Sequence, residues 1–174
     1  IPDIAILDPV FTVSLPKSLT ASTGMDAITH AIESYVSPHA NPFSKAMSYQ
    51  SFIETIENLP ICFKDGKNME ARAKMLAASC MGGIAFSNCG LGICHSIAHS
   101  FGVQYNIGHG LANAIVLPYV IEFNSVDENI AKQYYTLAYS IKSNSLHETI
   151  KDLNKQLELL TIMQDVMHNS AEFA

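Results

Sequence analysis

The sequence predicts an all-α domain with one short strand at its front. Three observations lead there: apolar residues recur at helical spacing through six or seven segments, Asn, Pro and Gly punctuate them, and only residues 4–7 read as a strand. A sheet has almost no sequence left to occupy.

Ile4, Ala5, Ile6 and Leu7 form an apolar run ended by Asp8 and Pro9, which suits a strand feeding a loop. A lone strand cannot satisfy its backbone groups, so this one is expected to pair with sequence outside the chain. From Thr23 onward, Met25, Ile28, Ala31, Ile32 and Val36 keep helical spacing until Pro38 stops the run. Asn41 and Pro42 read as the N-cap and first position of a second helix through about Glu57, ended by Leu59 and Pro60. A third helix starts near Asn68, turns Met75, Leu76 and Ala78 inward, and loosens at Gly82 and Gly83 before Ser87 and Asn88. Gly90 and Gly92 introduce a fourth, from about Leu91 to Phe101, with Gly102 placed to terminate it. The segment from Leu111 to Phe123 reads as a buried helix that Pro118 kinks or breaks and Asn124 caps. Two more polar helices follow, Asp127 to about Lys142 and Ser145 to about Asn169.

A chain of 174 residues with 48% hydrophobic positions fits one domain with a core of its own. A net charge of -6 and a pI near 5.5 provide no basic field, which argues against nucleic acid and anionic membrane as partners. Apolar runs such as residues 84–86 and 114–116 fall well short of the ~20 residues that span a bilayer. A mean hydropathy of +0.17 beside only 15% charged residues implies apolar surface that another surface covers, so self-association into a homo-oligomer is expected. Opening on Ile1, Pro2 and Asp3, the chain reads as an internal fragment. Cys62, Cys80, Cys89 and Cys94 lack C-x-x-C spacing and suggest reduced thiols in a cytoplasmic protein.

Asp26 and His30 stand four apart on the first strong helix, so both side chains share one face among apolar neighbours. A carboxylate there needs a partner or a metal to offset its desolvation. His95 and His99 repeat the spacing on the fourth helix, and His109 follows a glycine-bearing loop. Singly, each of these is an ordinary core or surface histidine; together with one carboxylate they suit Fe, Zn, Co or Ni better than Mg or Ca. His39, His147 and His168 have no second histidine at helical spacing and read as surface residues. There is no H-E-x-x-H and no nucleophile elbow, and Gly90-Leu91-Gly92 is a tight helix start rather than a dinucleotide fingerprint, because His95 occupies the third glycine position.

The run Leu19-Thr20-Ala21-Ser22-Thr23-Gly24-Met25-Asp26-Ala27-Ile28-Thr29-His30-Ala31-Ile32-Glu33 closely resembles the first motif of the iron-containing alcohol dehydrogenases. A second motif runs through Phe86-Ser87-Asn88, Gly90-Leu91-Gly92, His95, Ala98-His99, Gly102, His109-Gly110, Ala112-Asn113-Ala114 and Leu117-Pro118. The match extends from about Pro2 to about Asn124 and fades afterwards: beyond Ile141 the punctuated helix start and closing Asn-Pro-Arg segment of the family are absent.

The resemblance implies the helical C-terminal domain of the dehydroquinate synthase-like fold. The whole chain, 1–174, would be that metal-binding domain, with 1–15 the strand and linker leading from a missing N-terminal nucleotide-binding domain. By the same resemblance Asp26, His30, His95 and His109 fall on metal-ligand positions for Fe(II), with Zn(II) in some relatives. His99 matches the histidine beside the nicotinamide and substrate, and Leu19 and Leu91 match apolar positions near the nicotinamide. NAD or NADP would be held by the missing domain, since the chain has no glycine-rich phosphate loop. The implied activity is oxidation of alcohols or reduction of aldehydes by hydride transfer, with the fragment alone inactive. Two other readings stand beside it: a zinc relative of the dehydroquinate synthase or glycerol dehydrogenase kind with three protein ligands, against which His109 counts, and a metal-binding interaction module or half of a divided enzyme without catalysis of its own.

Overall fold

A computed structural model describes residues 3–160 as seven helices and a short 3-10 turn at Pro9–Thr12. The helices are α1 Lys17–Val36, α2 Pro42–Lys64, α3 Met69–Cys89, α4 Ile93–Tyr105, α5 His109–Asn124, α6 Glu128–Ser140 and α7 Leu146–Gln156. Helix α1 is central, packing against α2, α3 and α5, while α4 and α7 lie against α5. That position explains why α1 is buried on nearly every turn and why Met25, Ile28 and Ile32 join Phe52, Leu59, Leu117 and Ile121 in the innermost core.

The expected strand does not form. Residues 4–8 have no ladder, and Ile4 and Ile6 are 82% and 87% exposed, because an extended segment without a neighbour gains nothing from strand pairing. The remaining starts follow local chemistry. Asn41 accepts from the Phe43 and Ser44 amides while the Ser44 hydroxyl returns to the Asn41 amide, a reciprocal cap with Pro42 at the first helical position. Asn68, Asp127 and Ser145 cap α3, α6 and α7 more simply, each side chain accepting from one or two amides of the first turn.

Helix ends differ from the sequence expectation wherever packing outweighs a local breaker. Helix α1 begins at Lys17, six residues ahead of Thr23. Helix α2 continues through Pro60 to Lys64, since Leu59, Cys62 and Phe63 are buried and hold the final turn. Helix α3 is continuous through Gly82 and Gly83, where Gly82 lies close against Ser51 of α2. Helix α4 starts later than Leu91 and passes Gly102; the left-handed residue that stops it is Asn106, at φ 52°.

Pro118 does not break α5 either. A proline inside a helix frees the carbonyl four residues earlier, here that of fully buried Ala114, and the Asn154 amide of α7 donates to that oxygen at 2.6 Å. Helix α7 therefore supplies what the proline removes. The last expected helix is shorter than its pattern suggested: α7 ends at Gln156, with Leu157 as its cap and Glu158 in the left-handed region at φ 58°, while residues 161–169, His168 among them, lie outside the described residues. Among the described residues no single helix is long and apolar enough to cross a membrane.

Candidate metal centre

Three helices meet at one carboxylate. Asp26 and His30 lie on one face of α1, one turn apart; His95 comes from the first turn of α4 and His109 is the first residue of α5. The crossing of α5 over α1 is close because residue 110 is glycine: a side chain there would collide with the Ser22 carbonyl. This approach sets His109 opposite Asp26.

Asp26 Oδ1 lies 3.5 Å from His95 Nε2 and 3.4 Å from His109 Nε2. One ligand atom from each of these three residues lies within 4.8 Å of the other two, the spacing of donors around one shared ion. His30 stands at the rim of this group: its Nε2 is 3.9 Å from Asp26 Oδ2, and its ring stacks on His95 with centroids 4.6 Å apart. Phe86 also lies against the His30 ring, with centroids 4.6 Å apart. The site opens toward His109, whose side chain is 40% exposed against 4% for His95.

The donor set fits a metal of the Fe or Zn kind. His95 Nε2 is buried, has no well-formed hydrogen bond among the described residues and faces the Asp26 carboxylate at 3.5 Å. Burial outweighs the attraction of Asp26 at His30 and His109, so both stay below the usual histidine range and keep a lone pair to donate. Burial opposes charge on Asp26 as well, yet the surrounding His95, His30, His109 and Asn113 hold its carboxyl below the usual range. At His95 burial acts downward, but the carboxylates of Asp26 and Glu33 on its two sides push it up to about 9. A cation placed among these groups substitutes for that proton.

Two residues without a role in the sequence reading build the surroundings. Asn113, fully buried one turn after His109, donates from Nδ2 to Asp26 Oδ1 at 2.7 Å and faces His109 Nε2 at 3.1 Å, tying the two together. Glu33, seven residues after Asp26 on α1, meets His95 Nδ1 at 2.6 Å. Their sequence signals were an i, i+4 offset from His109 and an acidic residue inside an apolar stripe. Cys94 lies behind the site with its thiol against Asn113, and burial together with Glu33 and Asp26 pushes that thiol far up, away from thiolate chemistry.

His99 sits outside the converging group, exposed, with its ring 4.7 Å from that of His109. Leu19 on the first turn of α1 and Leu91 between α3 and α4 are partly exposed apolar side chains. His39 is exposed and His147 pairs with Glu148, consistent with surface positions.

The family model described as "Fe-containing alcohol dehydrogenase family, C-terminal" matches residues 20–171. The chain belongs to this family. It is 47% identical to the 1-propanol dehydrogenase of Citrobacter freundii over 79% of this chain and 37% of that protein. It is 41% identical to the NADPH-dependent butanol dehydrogenase of Clostridium saccharobutylicum over 99% of this chain and 46% of that one. The chain thus spans less than half the length of these relatives. Among solved structures, the iron-containing alcohol dehydrogenase of Thermococcus thioreducens superposes with a TM-score of 0.85 at 37% identity, covering 91% of this chain and 42% of that one. The sulfoacetaldehyde reductase of Bifidobacterium kashiwanohense, solved with NAD+, gives 0.84 at 29% identity, covering 90% and 42%. These matches bear out the helical C-terminal fold of the family.

Proposed function

We propose that Asp26, His30, His95 and His109 hold one divalent transition metal, Fe(II) or in its place Zn(II), and that this chain is the metal-binding, substrate-side part of an NAD(P)-linked alcohol dehydrogenase. The observation that carries this reading is the convergence of Asp26, His95 and His109 around a buried imidazole nitrogen that has no hydrogen-bond partner among the described residues. The metal, when bound, supplies Lewis acidity toward the oxygen of a small alcohol or aldehyde. Asp26 contributes the one negative charge among the ligands, and Asn113 fixes its orientation. His95, the deepest group, sets the floor of the site, while His109 and His99 line its open side, where substrate arrives. His99, exposed and without a place among the ligands, takes the substrate proton at its imidazole and passes it to water, or returns it in the reducing direction. Leu19 and Leu91 offer apolar surface to the nicotinamide ring.

The nucleotide itself is assigned to a separate N-terminal nucleotide-binding domain, in keeping with relatives more than twice as long as this chain. Both cofactor forms occur among the similar proteins, NADPH in the name of the clostridial enzyme and NAD+ in the bifidobacterial structure. Exposed Ile4, Ile6, Val10 and Phe11 provide apolar surface for that domain or for a second copy of the chain. The test is anaerobic titration of the 174-residue chain with Co(II) and Fe(II), followed by absorption and equilibrium dialysis. One equivalent should bind, and Asp26→Asn should abolish it; binding that survives this substitution refutes the assigned site.

A further inference from the structure

We propose that Glu33 is a positioning residue of the metal centre, holding His95 in the tautomer that turns its Nε2 lone pair toward the ion. This rests on the metal reading above.

Glu33 is 4% exposed, and a carboxylate so deep is costly unless donors surround it. Three do. The Gly92 amide donates to Oε2 at 2.9 Å, the Cys94 amide to Oε1 at 2.7 Å, and His95 Nδ1 lies 2.6 Å from Oε2. A carboxylate has only acceptors, so the ring nitrogen facing it carries the proton and Nε2, on the far edge of the ring, is left to bind metal. Glu33 does not reach the ion; it acts through His95.

The same carboxylate also builds the helix that carries His95. Helix α4 opens at Gly92 with no side-chain cap of its own, and Glu33 reaches across from α1 to take two of its free amides, placing negative charge at the helix N-terminus. Residue 92 must be small for this to happen, because a side chain there would meet Glu33 Oε1 at 2.6 Å. Backbone and imidazole are therefore registered by one group, which couples the start of α4 to the direction of the His95 ring.

The test uses zinc(II) as a diamagnetic probe on the 15N-labelled 174-residue chain. Long-range 1H–15N spectra of the zinc-loaded protein should show His95 protonated on Nδ1, with a slowly exchanging proton, and its Nε2 bound to metal. Glu33→Gln places an amide N–H2 among three donors, so it should lose this Nδ1–H signal and weaken zinc binding by about 10–100-fold in chelator competition. Glu33→Asp, with the charge kept but one methylene farther away, should fall between. A His95 bound through Nδ1, or undiminished zinc affinity in Glu33→Gln, overturns the proposal. Should Glu33→Gln fail to fold, the spectrum of the unsubstituted chain still decides it. Asp26→Asn separates the two readings: if it loses zinc while Glu33→Gln does not, only the present inference fails; if the unsubstituted chain binds no zinc, the metal reading fails and takes this one with it.

Discussion

Asn154→Ala tests whether α7 compensates for the proline inside α5. Pro118 leaves the Ala114 carbonyl without its helical donor, and that oxygen, on a fully buried residue, accepts instead from Asn154 at 2.6 Å. Truncating Asn154 leaves a buried acceptor unsatisfied, at a cost of about 1–3 kcal/mol. The middle of that range applies, because the bond is short but Asn154 Oδ1 has no partner among the described residues and its removal is a relief. About 2 kcal/mol corresponds to a melting temperature roughly 4–8 °C lower for a chain of this size. The informative measurement is a double-mutant cycle by thermal or urea unfolding with Pro118→Ala, which returns an amide donor to the Ala114 carbonyl. In that background Asn154→Ala should cost at least about 1 kcal/mol less. Equal costs in both backgrounds would refute the compensation argument and reduce Asn154 to an ordinary packing residue.

His30→Ala should remove most of the affinity for Co(II) or Zn(II), whereas His99→Ala should leave metal bound and slow turnover of the reconstituted enzyme; metal analysis beside steady-state rates checks both, and a metal-free His99→Ala protein would reverse the assignment. The chain alone, loaded with Fe(II) and given NAD(P) and short alcohols under anaerobic conditions, should show no hydride transfer, because nothing fixes the nicotinamide within about 3–3.5 Å of the substrate carbon. Clear turnover from a preparation shown by mass spectrometry to contain no longer dehydrogenase would refute that expectation.

Helix identity was largely legible in the sequence, and helix limits were not. Periodicity from Met25 to Val36, the cap at Asn41 and the helix starts placed at Asn68, Asp127 and Ser145 are local properties, and each corresponds to an observed helix. Pro60, Pro118, Gly82 and Gly102 are equally local signals, yet each lies inside a continuous helix. What overrides them comes from elsewhere in the chain: burial of the last turn of α2, the Asn154 amide at Ala114, and the close approach of α2 at Gly82. The strand at residues 4–7 failed for the complementary reason, since strand pairing requires a neighbour.

The sequence by itself determined the helical class, and its i, i+4 pairs with their motif spacing singled out Asp26, His30, His95, His99 and His109 as the residues of interest. Only the tertiary structure decided how they are arranged: Asp26, His95 and His109 around one point, His30 stacked at the rim, and His99 outside on the open side. It also decided that Glu33 and Asn113 hold the group in place, across 62 and 87 residues of chain to His95 and Asp26. Spacing along one helix reports which side chains share a face. Which faces meet depends on how closely helices can pack, and at Gly110 and Gly92 that closeness follows from the absence of a side chain against a surface contributed by a distant part of the chain.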